Sequence, residues 1–129
     1  MTAELNTSIL VVDDEAGMRA LVRRCLENHP FAVQDAESGE RALGLVADGL
    51  GVQPLITDEM MPEMEGHELA RRLRAANPNL KVLYLTGHAD RLFDAKQHLW
   101  ELEAYLDKPF TPEGLRQAVA LLLHDRLTI

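Results

Sequence analysis

Five short apolar runs alternate with five amphipathic stretches, and this alternation constrains the fold more than any other feature of the chain. Residues 8–12, 31–36, 54–57, 80–86 and 104–106 have the length and the β-branched or apolar character of strands. Between the first two, Met18, Leu21, Val22 and Cys25 recur at helical spacing, so a helix is expected over 16–28, stopped by His29-Pro30. Ser38-Gly39 opens a second helix that ends near Asp48-Gly49. Leu69, Ala70 and Leu73 mark a third, over 66–76, which Asn77-Pro78 ends. A fourth is expected over 90–99. Thr111-Pro112 starts the fifth, with a side-chain cap and then proline at the first helical position, and Leu115, Ala118, Val119 and Leu122 form its core face. The second run is short and polar, hence an edge strand. Pro54 is placed at the first residue of the third strand, where proline is best tolerated. Strands alternating with helices predict an α/β chain, a (βα)5 doubly wound parallel five-stranded sheet with right-handed crossovers.

Composition removes several classes of function. The 129 residues suit one domain. A net charge of -8, from 21 acids against 13 bases, argues against direct nucleic-acid binding and against an anionic membrane surface. No apolar run approaches the roughly 20 residues of a membrane span. The polar residues 1–7 contain no apolar signal core, so they are read as a disordered tail and the chain as cytoplasmic. Cys25 is the only cysteine, which rules out an internal disulfide, and its place on an apolar helical face reads as a small buried hydrophobe. The main domain is expected over 8–125, with no output domain in this chain.

In a parallel α/β sheet the C-terminal strand ends share one edge, where ligand crevices form. The first strand delivers Asp13 and Asp14 there, the third Asp58, the fourth Thr86 and Gly87, and the fifth Lys108. Any one of these alone reads as a helix cap or a solvated lysine. Together they form a carboxylate cluster with one amine and one hydroxyl. Two like charges about 4 Å apart repel by about 4 kcal/mol at an effective dielectric of 20. A hard divalent cation with oxygen ligands, such as Mg²⁺, relieves that repulsion and leaves coordination sites for phosphate oxygens. Asp58 is then a candidate nucleophile, and Lys108 and Thr86 are candidate phosphoryl ligands, in a reaction driven by positioning and charge neutralisation.

The blocks Val11-Val12-Asp13-Asp14-Glu15, Asp58-Glu59-Met60-Met61-Pro62-Glu63-Met64-Glu65-Gly66, Leu85-Thr86-Gly87 and Tyr105-Leu106-Asp107-Lys108-Pro109-Phe110 occur in that order. In them the chain resembles the receiver domain of the two-component response-regulator family, over about residues 8–123. The resemblance implies a flavodoxin-like sheet of order 2-1-3-4-5. It implies that Asp58 accepts phosphate from a histidine kinase or histidine phosphotransfer protein, and that Mg²⁺ is held by Asp13, Asp14, Asp58 and the backbone carbonyl of Met60. Asp14 would touch the metal directly and Asp13 through water. Lys108 would pair with Asp58 and then with the phosphoryl group, Thr86 would bond a phosphoryl oxygen, and Tyr105 would turn inward in response. The Lys108–Pro109 peptide is expected to be cis. The alternative is a receiver-like interaction module that is never phosphorylated. A related phosphatase would need a second acid where this chain has Met60.

The output surface implied by the resemblance is the fourth helix, fifth strand and fifth helix. Leu92, Ala95 and Leu99 form a core stripe on the expected fourth helix, while Phe93 and Trp100 fall on another side. Phe93, Trp100 and Tyr105 are therefore expected to contribute to a partner or homodimer surface, against the alternative that Trp100 folds back onto the core. His29, His67, His88, His98 and His124 show no metal-ligand spacing. His67 is expected to be exposed. His88, two residues after Thr86, either shields the phosphoryl group or points to solvent. Glu59, Met60 and His88 occupy positions that influence phosphoryl loss in this family.

Overall fold

The computed structural model describes residues 7–87 and 102–124. The strands are β1 (Thr7–Val12), β2 (Ala32–Ala36), β3 (Gly51–Asp58), β4 (Val82–Thr86) and β5 (Glu103–Asp107). The helices are α1 (Ala16–Cys25), α2 (Gly39–Ala47), α3 (Gly66–Ala76) and α4 (Pro112–His124), the last being the fifth helix of the sequence pattern. The strands form one parallel sheet of order β2-β1-β3-β4-β5, as expected, with the polar β2 at an edge. The fourth expected helix, 90–99, and residues 1–6 of the expected tail lie outside the described residues. Thr7, assigned to that tail, is the first residue of β1.

Side-chain alternation along the central strands makes the two cores. Leu10, Val12, Leu55, Val82 and Tyr84 face Ala42 of α2 and Leu69, Ala70 and Leu73 of α3. Ile9, Val11, Ile56, Leu83 and Leu85 face Val22 and Cys25 of α1 and Leu115, Val119 and Leu122 of α4. Two helix starts follow from single side chains. Ser38 Oγ accepts the Arg41 N–H at 3.1 Å, and Thr111 Oγ1 accepts the Gly114 N–H at 2.9 Å. Helix α1 stops at Cys25, earlier than expected. Leu26 is drawn into the core, and the His29 N–H closes a turn on the Leu26 carbonyl at 3.0 Å.

Strand β3 corrects the placement of Pro54. It starts at Gly51, so Pro54 is interior. Ser8 pairs with Val52 while Leu10 pairs with Leu55, which leaves one extra residue in β3. Pro54, which has no N–H to donate, sits in this bulge, and its peptide bond to Gln53 is cis. The Gln53 side chain bridges toward β4, accepting the Lys81 N–H at 2.8 Å and donating to the Asn79 carbonyl at 3.0 Å.

A buried polar group ties α3 to the start of β5. Arg74 donates to Glu103 Oε2 at 2.6 Å and to the Leu80 carbonyl at 2.8 and 3.1 Å. Tyr84 donates its hydroxyl to the same Glu103 oxygen at 3.0 Å. Burial, reinforced by Glu103, pushes the Tyr84 phenol far up, so it stays a donor. Breaking such a pair leaves a guanidinium buried without its counter-ion. Glu103→Ala is expected to lower unfolding free energy by about 3 kcal/mol, read as a drop in urea midpoint at unchanged slope.

Candidate functional site

Parallel pairing brings the strand ends to one edge. Asp13 follows β1, its N–H donating to the Ala36 carbonyl at 3.2 Å. Asp58 and Thr86 are the last residues of β3 and β4. Lys108 follows β5, and its N–H donates to the Thr86 carbonyl at 2.9 Å. The Lys108–Pro109 peptide is cis, as expected.

The side chains converge. Lys108 Nζ lies 3.4 Å from Asp58 Oδ1 and 3.6 Å from Asp13 Oδ2. Asp58 Oδ1 also accepts the Met60 N–H at 3.3 Å, and Asp13 Oδ1 accepts the Glu15 N–H at 2.9 Å. Oxygens of Asp13, Asp14 and Asp58 lie within 4.8 Å of one another. Asp13 and Asp58 are buried, Asp14 is exposed and Thr86 is fully buried. Burial raises the Asp13 carboxyl above its ordinary value, opposed first by the Glu15 N–H and then by Lys108. Burial likewise raises Asp58, opposed first by Lys108 and then by the Met60 N–H.

Two features fit a cation. One ammonium pairs with two members of a group of three carboxylates, and among the described residues Asp13 Oδ2 is buried without a hydrogen-bond partner. The donors are all oxygen, which suits a hard divalent ion better than a thiophilic one.

The turn after Asp58 is tightly fitted. A Cβ on Gly66 would lie 2.5 Å from the Asp58 carbonyl oxygen, so only glycine lets α3 begin this close to the site. Met61 and Met64 are buried beneath the turn, and Glu63 takes a left-handed φ of 70°.

His67 departs from the sequence expectation through its contact with Glu59. Glu59 turns to α3: its Oε1 accepts the His67 N–H at 2.9 Å, and its Oε2 lies 2.6 Å from His67 Nδ1. His67 is therefore half-buried and bonded, not exposed. Although the histidines show no ligand spacing in sequence, the fold also brings Glu65 within 4.8 Å of Glu59 and His67. An eight-residue separation across a turn carries no periodic signal, which is why this contact was missed. Cys25 is buried as expected. Tyr105 is 40% exposed on β5. Phe93 and Trp100, the other expected partner-surface residues, and His88 and His98 lie outside the described residues. No described helix is long and apolar enough to cross a membrane.

Comparison with known proteins shows which chains share this sequence pattern and fold. The sequence profile of the response regulator receiver domain matches residues 9–120. The chain is 31% identical over 122 residues to the sensor kinase CckA of Brucella abortus (strain 2308), covering 94% of this chain and 13% of the kinase. It is 34% identical over 119 residues to the response regulator MprA of Mycobacterium sp. (strain KMS), covering 89% of this chain and 50% of the regulator. The chain thus spans half the length of that regulator and a small part of the kinase. The crystal structure of a response regulator receiver protein from Sinorhizobium medicae WSM419 superposes with a TM-score of 0.80 at 29% identity, covering 92% of this chain and 94% of the other.

The electrostatics give a test without any partner. A carboxyl raised in the folded state binds its proton more tightly there than in the unfolded chain. These groups therefore lower stability as pH rises from about 3.8 through their folded values. Asp13→Asn keeps the acceptor for the Glu15 N–H and removes a charge. In cation-free buffer it is expected to melt above wild type at pH 7, with the gain shrinking as pH falls toward 3.8. Thermal melts across that range check it.

Proposed function

The chain belongs to the response regulator receiver family, and on that premise we propose that Asp58 is the phosphoacceptor of a two-component or phosphorelay switch. The donor is a phosphohistidine on a histidine kinase or phosphotransfer protein. An Asp58 carboxylate oxygen forms a bond to phosphorus as the phosphorus–nitrogen bond breaks, and the proton needed by the imidazole comes from solvent. The observation that carries this reading is the approach of Lys108 to Asp58 beside the three-carboxylate group.

Asp13, Asp14, Asp58 and the Met60 backbone carbonyl would hold Mg²⁺, which would supply charge neutralisation for an incoming phosphoryl group. The protein does the rest. Lys108 pairs with Asp58 beforehand and with phosphoryl oxygen afterwards. The Thr86 hydroxyl turns to a phosphoryl oxygen. Tyr105, exposed in this conformation, moves inward to fill the space behind it. Phosphorylation adds charge and bulk to Asp58 and shifts the population of the surface formed by β5, α4 and the expected fourth helix. That surface, with Phe93, Trp100 and Tyr105, is the site for a partner or a second copy. The chain acts in the cytoplasm and catalyses only its own phosphorylation and dephosphorylation.

Titration with beryllofluoride, a phosphoryl mimic, tests the site. Occupancy is read by fluorine NMR and the response by fluorescence of the single tryptophan, Trp100. Wild type should bind only with Mg²⁺, Asp58→Asn should not bind, and Lys108→Ala should bind about tenfold or more weakly through loss of a charge-assisted bond. Absence of Mg²⁺-dependent binding in wild type would leave the constitutive interaction module in place of the switch.

A further inference from the structure

The acid beside the proposed phosphoacceptor is buried as deeply as the site itself, yet it is turned away from it. Glu59 is 1% exposed. A buried carboxylate is tolerated only where it is hydrogen-bonded, and this one is committed to the first turn of α3. It accepts the His67 N–H at 2.9 Å and meets His67 Nδ1 at 2.6 Å, while its own backbone carbonyl accepts the Gly66 N–H at 3.0 Å. Three bonds thus run from the residue just after β3 to two residues at the start of α3.

Helix α3 needs this support. Its N-cap residue, Glu65, makes no side-chain cap bond. Helix N-termini leave backbone donors to be satisfied, and negative charge is favoured there. Glu59 supplies both from outside the helix. The turn so closed, 60–65, carries Met60, whose N–H reaches Asp58 Oδ1 at 3.3 Å and whose carbonyl is the backbone ligand of the proposed cation site. A turn free to open would lose both groups at once. Glu65 also comes within 4.8 Å of the pair, but Glu59 and His67 already bond each other, so the group acts as a clamp and not as a second metal site.

We propose that Glu59 and His67 are a positioning pair, fixing the turn after β3 so that Met60 and Asp58 are preset for cation and phosphoryl binding. The inference rests on the receiver reading of Asp58. His67→Ala removes the side-chain bond. His67→Asn places an amide N–H where Nδ1 stood. Arg71→Ala, an exposed residue of α3 paired with Glu68, serves as control.

Mg²⁺-dependent beryllofluoride affinity and melting temperature are measured for each. His67→Ala should bind about tenfold more weakly, as for loss of an outer partner of a metal site. His67→Asn should recover most of that loss, and Arg71→Ala should match wild type. If His67→Ala does not fold, Glu59→Gln, which keeps an acceptor but not the charge, should bind about threefold more weakly, on the order of half the cost of a charge-assisted bond. Wild-type affinity in a folded His67→Ala or Glu59→Gln overturns the inference. So does an Asn variant that binds no better than Ala, because the loss then follows the imidazole and not the bond. Failure of wild type to bind, or binding by Asp58→Asn, overturns the receiver reading itself, and this inference with it.

Discussion

Two buried carboxylates held against one ammonium set the terms for this end of the molecule. Asp13 and Asp58 are buried, and Lys108 reaches both without a short contact to either. Low local dielectric makes their mutual repulsion costly and also makes the site responsive to any added charge. Asp14, exposed at the rim, adds a third acid where solvent screens it. The edge is left under tension, and a bound cation or a phosphoryl group changes the balance in a way that an apolar ligand could not.

The rest of the fold supplies the rigidity that such tension needs. β1, β3 and β4 are buried nearly throughout, so Asp13, Asp58 and Thr86 leave strands that cannot shift without disrupting both cores. Close packing has no room for compromise at Gly66, where a methyl group would collide with the Asp58 carbonyl. At the far end of α3, Arg74 grips the Leu80 carbonyl and Glu103, fixing the entries to β4 and β5. Helix α3 is thus held at its start by Glu59, just after β3, and near its end by Glu103 of β5, both buried acids.

What the sequence made legible follows from topology. Asp13, Asp58, Thr86 and Lys108 each stand at the end of an apolar run, and a parallel sheet leaves those ends no choice but to share an edge. Thr111-Pro112 and Ser38-Gly39 announce helix starts because capping is local chemistry. The misses are non-local. The bulge at Gln53-Pro54 is defined only by the pairing of β3 with β1. Arg74 reads as one more solvated helix charge until Glu103, 29 residues away, is folded against it. His67 reads as exposed because nothing in the sequence shows that Glu59 turns toward it. Helix α1 ends early because Leu26 finds a place in the core that helical propensity cannot foresee.

The two tyrosines of the sheet show how the proposed switch can be selective. They are neighbours, Tyr84 on β4 paired with Tyr105 on β5. Tyr84 is fully buried with its hydroxyl held by Glu103, so its surroundings cannot change without breaking a buried ion pair. Tyr105 is 40% exposed and has area left to bury. Only a group whose contacts differ between two states can move an equilibrium between them. Burying the exposed part of one tyrosine removes roughly 80 Å² from water, worth about 2 kcal/mol, or a factor of roughly thirty in population. That is of the size typical of coupling between two sites. In the proposed switch, a phosphoryl group that draws Thr86 forward would have only to open the space. Burial of Tyr105 would then stabilise the altered surface, while Tyr84, bonded to Glu103, keeps its place on β4.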